Sequence, residues 1–377
     1  MRGGSMAVAF RVDASLDIGS GHVMRCLTLA NELRLRGANC LFISREHSGH
    51  LHETIDRAGH RLVSLPVSLA SQSAVVLKSQ KVDSPTGYEN FLGENWQVDA
   101  GLSLAAMEGF DVHWLVVDHY GLDAQWENAV GVSCQNTLVI DDLANRPHDC
   151  DLLLDQTLRR RVLDYDEWVP AGCDVMVGAA NAMLRPEFSE FRSYSLQRRA
   201  SPALRNLLIT MGGMDKCNAT GLILRVLESC CLPQDLCITV VMGSQAPWLT
   251  SVQQQAGTMR RPTQVRVDEN NMAQLMADSD LAIGAAGSTA WERCCLGLPT
   301  LQMVLAPNQN AVCVALAAAG AARTIGSMQN LSSTLPELIS EMAGCSESLK
   351  RCSDAALLVT AGQGADMVAK RMFRDQI

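Results

Sequence analysis

At 377 residues the chain is longer than one ordinary core organises, so two domains are expected. Its 47% hydrophobic and 19% charged residues exclude a disordered chain, and no segment reaches the roughly 18 apolar residues of a membrane span. The net charge of -9 excludes a general nucleic-acid binder, which needs a basic stripe; the one dense basic cluster, "LRRRV" at 158–162, reads as a solvated loop. The 14 cysteines sit in apolar strings such as "CLFIS" and "WERCCLG" without any Cys-x-x-Cys pair. Reduced, mostly buried thiols in a cytoplasmic protein are expected, and no metal site. The first apolar run, "MAVAF", is too short for a signal peptide, and "MRGGS" reads as an extension ahead of the first strand.

"MAVAFRV" reads as a strand, followed by "DASLDIGSGHVMRCLTLANELRLRG". There Met24, Leu27, Leu29, Ala30, Leu33 and Leu35 keep a helical rhythm up to Gly37, a C-cap. Gly19 and Gly21 let the strand-to-helix loop bend tightly, and the unpaired N–H groups of the helix start suit a phosphate or a developing negative charge. His22 falls at that pole, with Arg25 one turn on along the same face and Asp13 just upstream. A plainer alternative remains at this point: the glycines pack helix on sheet and His22 caps locally.

Further apolar segments, "NCLFIS", "HRLVSLP", "HWLVVDH", "NTLVIDD", "DLLLDQ" and "CDVMVG", alternate with helical patterns. That alternation predicts α/β architecture with a mostly parallel sheet covered on both faces. The Ser68–Gly109 stretch, a polar excursion followed by a helix, reads as a surface insertion. Strand-end loops carry Asp118, His119 and Tyr120, then Asp141 and Asp142, then Asp155 and Gln156. Acid–base groups on such loops fit an active site, although Asp142 and Asp155 serve equally well as helix N-caps.

The pattern restarts after a charged connection, with a hinge expected near 192–203 and domains spanning 1–195 and 196–377. "NLLITMGG", "LCITVVMG", "QVRV", "DLAIGAAG" and "PTLQMVL" then supply a second strand set, and the C-terminus ends in helices. Two such Rossmann-like domains facing each other would leave a central cleft at the carboxyl ends of their strands. Gly212, Gly213 and Asn218 form one glycine loop opening a helix, a geometry that can cradle phosphate oxygens. Gly287, Ser288, Thr289 and Glu292 form another, in which a carboxylate one turn into the helix can accept ribose hydroxyls. A capping box is the alternative for Glu292, though its spacing of four from Ser288 is one too long.

The ordered blocks "RVDASLDIGSGHVMRCLTLA", "WLVVDHYGLD", "VIDDLANRPHDCDLLLDQ", "GGMDKCNAT" and "IGAAGSTAWERCCLGLPTLQMVLAPNQ" resemble the PseG family of UDP-sugar hydrolases in pseudaminic acid biosynthesis. That family is in turn similar to MurG-like glycosyltransferases of the GT-B fold. The resemblance implies cleavage of UDP-2,4-diacetamido-2,4,6-trideoxy-β-L-altropyranose by water, with inversion at the anomeric carbon, no metal and no cofactor. It places the catalytic base on His22, an imidazole able to accept a proton at neutral pH. It also implies a sugar side formed by Asp13, Gly19, Gly21, Arg25, His119, Tyr120, Asn308 and Gln309. On the nucleotide side stand Gly212, Gly213, Asn218, Gly287, Ser288 and Thr289 for phosphates, Glu292 for ribose and Met272 for uracil. The UDP-sugar is the expected partner, without nucleic acid or membrane insertion, and a monomer is compatible with the pattern. Only "RDQI" follows the last helical segment, so a stand-alone hydrolase is expected rather than a fusion with an acetyltransferase. A glycosyltransferase on the same scaffold and a non-catalytic nucleotide-sugar binder are the rival expectations.

Overall fold

A computed structural model describes residues 5–67, 88 and 91–374. Its contacts divide the chain into two compact units. The first comprises Met1–Gln156, Arg160–Met183 and Ala365–Ile377, and the second Thr157–Arg159 and Leu184–Gly364. Among the described residues no helix is long and apolar enough to cross a membrane.

The first unit holds strands β1 (Ala7–Val12), β2 (Asn39–Arg45), β3 (Arg61–Leu65), β4 (Trp114–Asp118), β5 (Asn136–Ile140), β6 (Leu152–Asp155) and β7 (Asp174–Val177). They form one sheet in the order β3-β2-β1-β4-β5-β6-β7, with every pairing parallel. Helices α1 (Gly21–Leu35), α2 (His52–Arg57), α3 (Trp96–Met107) and α4 (Ala124–Gly131) connect the strands. All of β1 is buried, as expected of a parallel strand covered on both faces. Val8, Phe10 and Val12 point into one core with α1 residues Val23, Leu29 and Leu33. Ala9 points into the other, with Ala100, Met107, Trp126 and Val130 of α3 and α4. Each such fully buried Val, Leu or Phe side chain contributes about 1.5–3 kcal/mol relative to exposure.

Arg11 lies on the Ala9 side of β1 and is fully buried, which only paired charges make tolerable. Its guanidinium donates to Asp13 Oδ1 at 2.6 Å and to Asp99 Oδ1 and Oδ2 at 3.0 and 2.7 Å. Arg45 and the Trp126 indole donate to the same Asp99 carboxylate at 2.6 and 3.0 Å. Burial alone would raise the Asp99 carboxyl, but the Arg11 and Arg45 guanidinium groups hold it below the usual range. Asp99 lies on α3, so the expectation of a surface insertion over Ser68–Gly109 is corrected for this part. One face of the helix is core, with Asp99, Ala100, Ser103 and Met107 buried. Residues 68–87 and 89–90 of that stretch lie outside the described residues.

The second unit holds β8 (Asn206–Thr210), β9 (Cys237–Met242), β10 (Thr263–Val267), β11 (Leu281–Ala285), β12 (Thr300–Met303) and β13 (Arg323–Gly326). These form a parallel sheet in the order β10-β9-β8-β11-β12-β13. Its helices are α5 (Pro186–Glu190), α6 (Arg192–Arg198), α7 (Ala219–Ser229), α8 (Leu249–Ala256), α9 (Met272–Asp278), α10 (Thr289–Cys295), α11 (Asn310–Ala318), α12 (Leu331–Gly344) and α13 (Ser346–Leu357). Strand β13, "RTIG", escaped the sequence pattern because it is short and only Ile325 is buried.

The contacts place the main division at Met183/Leu184, not within 192–203, and Arg192 and Arg199 are tied into the second unit. Arg192 donates to the carbonyls of Leu357 and Thr360 at 2.7 and 3.0 Å and to that of Cys295. Arg199 donates to Ser279 O at 2.8 Å and Met276 O at 3.1 Å, satisfying carbonyls at the end of α9. The last helix, α14 (Gly364–Phe373), belongs to the first unit. There Val368, Ala369 and Met372 join the core around Phe10, and Met372 O accepts the Trp114 indole N–H at 3.1 Å.

Candidate active site

In the first sheet the strand order reverses between β1 and β4, the place where open α/β sheets bind ligands. The register pairs Val12 with Asp118, so the loop after β1 and the last residue of β4 emerge side by side. Gly19 closes that loop at φ +85°, a left-handed conformation that favours glycine, and its N–H donates to Ser15 O at 2.8 Å. Helix α1 then begins at Gly21, which puts His22 in its first turn.

His22 Nδ1 lies 2.5 Å from Asp118 Oδ1, and the imidazole side chain keeps 10% of its surface exposed. Arg25 grips the same carboxylate with both ends of its fork, Nε to Oδ2 at 2.6 Å and Nη2 to Oδ1 at 2.7 Å. Its remaining Nη1 donates to Asp142 Oδ2 at 2.7 Å, and the Tyr120 hydroxyl donates to that same oxygen at 3.1 Å. The Tyr120 ring stands edge-on to His22, with centroids 4.6 Å apart. Burial would raise the Asp118 carboxyl, but the Arg25 charge, and after it His22, hold it well below the usual carboxylate range. An ionised Asp118 accepts the Nδ1–H, which assigns the imidazole tautomer and leaves the Nε2 lone pair available to take a proton. The plainer alternative of local capping does not describe His22, whose Nδ1 partner is a carboxylate 96 residues away.

Asp118 is the partner of His22 that motif reasoning missed, although its place at the end of an apolar strand was the available signal. Tyr88 packs its ring on Tyr120 at 5.1 Å and on Phe91 at 5.2 Å. Two expected sugar contacts are corrected. Asp13 is fully buried between Arg11, the Arg45 N–H and His119, so a sugar cannot touch it without opening that network. His119 is buried too, its Nδ1 accepting the Gly121 N–H at 3.0 Å and its Nε2 lying 3.3 Å from Asp13. Burial first, and Arg11 after it, lower the affinity of that imidazole for a proton. Asp155 and Asp141 are structural: the Tyr165 hydroxyl lies 2.8 and 2.9 Å from them, and Arg160 pairs with Asp155 at 2.5 Å. Arg160 is therefore an internal tether, not part of a solvated basic loop.

In the second sheet the reversal falls between β8 and β11, whose register pairs Gly284 with Thr210. Both glycine loops leave the sheet there. After β8, Gly212 takes φ +87°, and Asn218 takes φ +54° as the N-cap of α7. The amides of Ala219 and Thr220 donate to Asp215 at 2.8 and 2.9 Å, and that of Gly221 to Asn218 Oδ1 at 3.1 Å. The expected phosphate cradle at the start of α7 is thus corrected, since a carboxylate of this chain already occupies it.

The loop after β11 is different. Gly287 is half-buried, Ser288 is exposed and makes no side-chain cap bond, and Thr289 is half-exposed. The capping box is therefore not formed. Gln309 folds over this loop, its Oε1 accepting the Leu305 N–H at 2.9 Å and its Nε2 3.7 Å from where a Gly287 Cβ would stand. Asn308 lies exposed in the short turn Pro307–Gln309, and Met272 opens α9 half-buried. Glu292 accepts no side-chain hydrogen bond and makes no ion pair among the described residues. Burial pushes its carboxyl up to about 7 against the pull of Arg185 and Arg293.

No family model matches the chain. Over 316 residues, 84% of this chain and 97% of the relative, it is 27% identical to UDP-2,4-diacetamido-2,4,6-trideoxy-β-L-altropyranose hydrolase of Campylobacter jejuni. The crystal structure of MurG from Acinetobacter baumannii superposes with a TM-score of 0.69 at 15% identity, covering 99% of this chain and 100% of that one. UDP-GlcNAc 2-epimerase from Neisseria meningitidis, bound to UDP-GlcNAc, gives 0.60 at 12% identity over 98% and 100% of the two chains. The resemblance read from the ordered motifs is borne out: the chain is similar in sequence to a PseG-type UDP-sugar hydrolase and has the two Rossmann-like domains of the MurG-like GT-B fold.

Proposed function

We propose that the chain hydrolyses UDP-2,4-diacetamido-2,4,6-trideoxy-β-L-altropyranose to the free sugar and UDP, with inversion at the anomeric carbon. The observation that carries this is the His22–Asp118 pair, an imidazole oriented by a buried carboxylate, whose second nitrogen has no partner among the described residues. Nε2 takes a proton from water as the water oxygen bonds to the anomeric carbon. The bond from that carbon to the diphosphate oxygen breaks, and its electron pair leaves with UDP. Gly287, Ser288 and Thr289 face the diphosphate, Glu292 the ribose and Met272 the uracil, while Tyr120, Asn308 and Gln309 serve the sugar. The amides of Gly212 and Gly213 are the part of the other loop that remains to meet phosphate. Arg25 acts on the sugar side only through Asp118 and Asp142, holding both in place.

A base placed this way would equally serve an acceptor hydroxyl, and the likeness to MurG keeps transfer as the second reading. Turnover of the UDP-sugar in oxygen-18 water separates the two. Label in the sugar and none in UDP is the expected result. Label in UDP would mean attack at phosphorus, and no turnover without an added acceptor would make the chain a transferase.

The Glu292 role has its own pH signature. With its carboxyl raised to about 7, the free protein carries the neutral form below that pH and the ionised form above it. Ribose hydroxyls donate to the ionised form, so uridine should bind more weakly as pH falls through 7, by up to about tenfold per unit. Calorimetric titration from pH 6 to 8 should show this slope in the unsubstituted protein and its absence in Glu292→Gln.

A further inference from the structure

Behind the loop that follows β11 sits a cation that the proposed reaction does not yet use. Arg293, on α10, is 1% exposed and makes no ion pair with a carboxylate among the described residues. Its Nη2 donates to Ala285 O at 2.7 Å and its Nη1 to Thr289 Oγ1 at 3.2 Å, while its Nε is without a partner among the described residues. The guanidinium lies against bare backbone, since a Cβ at Gly284 would stand 2.5 Å from Nη1. A buried guanidinium with only neutral acceptors is costly to keep, and a structural role alone is served by a neutral donor. Burial lowers its proton affinity only to about 10, so it remains a cation at neutral pH.

We infer that Arg293 is a positioning residue for the substrate diphosphate, acting through Thr289. A hydroxyl has one proton to give and two lone pairs to accept with. Arg293 donates to the hydroxyl of half-exposed Thr289 and so takes its acceptor side, which leaves the single hydroxyl proton to be given to another acceptor, in this proposal an anionic oxygen of the diphosphate. The charge behind the loop, which feels Glu292 but makes no ion pair among the described residues, strengthens that bond, because a positive charge in a low-dielectric setting favours the anion it faces. The ligand chemistry is a nucleoside diphosphate rather than a nucleoside, which rests on the nucleotide assignment proposed above.

The test compares UDP with uridine by calorimetry in the unsubstituted protein, Arg293→Met, Arg293→Lys and Thr289→Val. Measured at about pH 9, where Glu292 is ionised with or without the Arg293 charge, Arg293→Met should weaken UDP about ten- to a hundredfold and leave uridine unchanged, and Arg293→Lys should recover part of the loss. Thr289→Val should show the same selective loss, and it carries the test if Arg293→Met fails to fold. Equal weakening of UDP and uridine would reduce Arg293 to a structural residue, and unchanged UDP binding in Thr289→Val would equally overturn the inference. If the unsubstituted protein binds neither ligand, the nucleotide assignment falls and the inference with it. That outcome is distinct from a variant series that binds UDP without discrimination.

Discussion

Replacing His22 by Asn is expected to cut turnover of the UDP-sugar by about 10²- to 10⁴-fold, the usual contribution of a general base. An Asn amide can still donate to Asp118 from near the position of Nδ1, so α1 and the Asp118–Arg25 pair should persist. Nothing then remains at the place of Nε2 to take a proton from water. UDP affinity should stay within about twofold, because the base contributes to the transition state and not to ground-state binding. Steady-state kinetics with parallel UDP titration checks both halves. Full turnover with normal UDP binding would show that His22 is not the base.

Asp118→Asn should be nearly as damaging by a different route. The Asn amide no longer compels Nδ1 to carry the proton, so the imidazole can turn its N–H toward the water and cease to be a base. The expected loss of turnover is on the order of 10²-fold or more, with the pH–rate profile altered as well as lowered. Arg25 also loses its two-point partner and keeps only Asp142, which at a buried site costs about 3–5 kcal/mol of stability. The pH dependence of that cost has a definite sign. The Asp118 carboxyl is depressed in the folded protein, so its stabilisation is complete above the unfolded value near 4 and is lost as pH falls below it. Melting temperatures of the two proteins should therefore differ by a constant amount from about pH 5 to 8 and converge in stronger acid. A difference that instead grew below pH 4 would mean that Asp118 is not ionised in the folded state.

Most strands of both sheets were legible in the amino-acid sequence because parallel strands buried on two faces are uninterrupted apolar runs, as in "WLVVD" of the first and "LAIGA" of the second. The glycine-bounded loops at the two reversal points were legible for a related reason: tight strand-to-helix turns need particular backbone conformations, and Gly19 and Gly212 advertise them. His22 could be singled out from such a loop by position alone. What position could not reveal was its partner. Asp118, Arg25 and Asp142 meet only because β1, β4 and β5 lie side by side, and strand adjacency is a tertiary fact. The same holds where local chemistry misled. The Asp13 and His119 side chains look like site residues until they meet each other in the interior, where Asp13 also takes the Arg11 guanidinium and the Arg45 N–H. The loop before α7 looks like a phosphate cradle until Asp215 turns back onto its amides. The charged helix α6 looks like a linker until Arg192 at its start and Arg199 at its end reach the ends of other helices. Strand, helix and loop types were determined by the sequence itself, because hydrophobic period and backbone freedom are local properties. Which charges are spent on the fold and which remain for chemistry was decided only by the tertiary structure, because a charge is defined by the partners that burial brings to it.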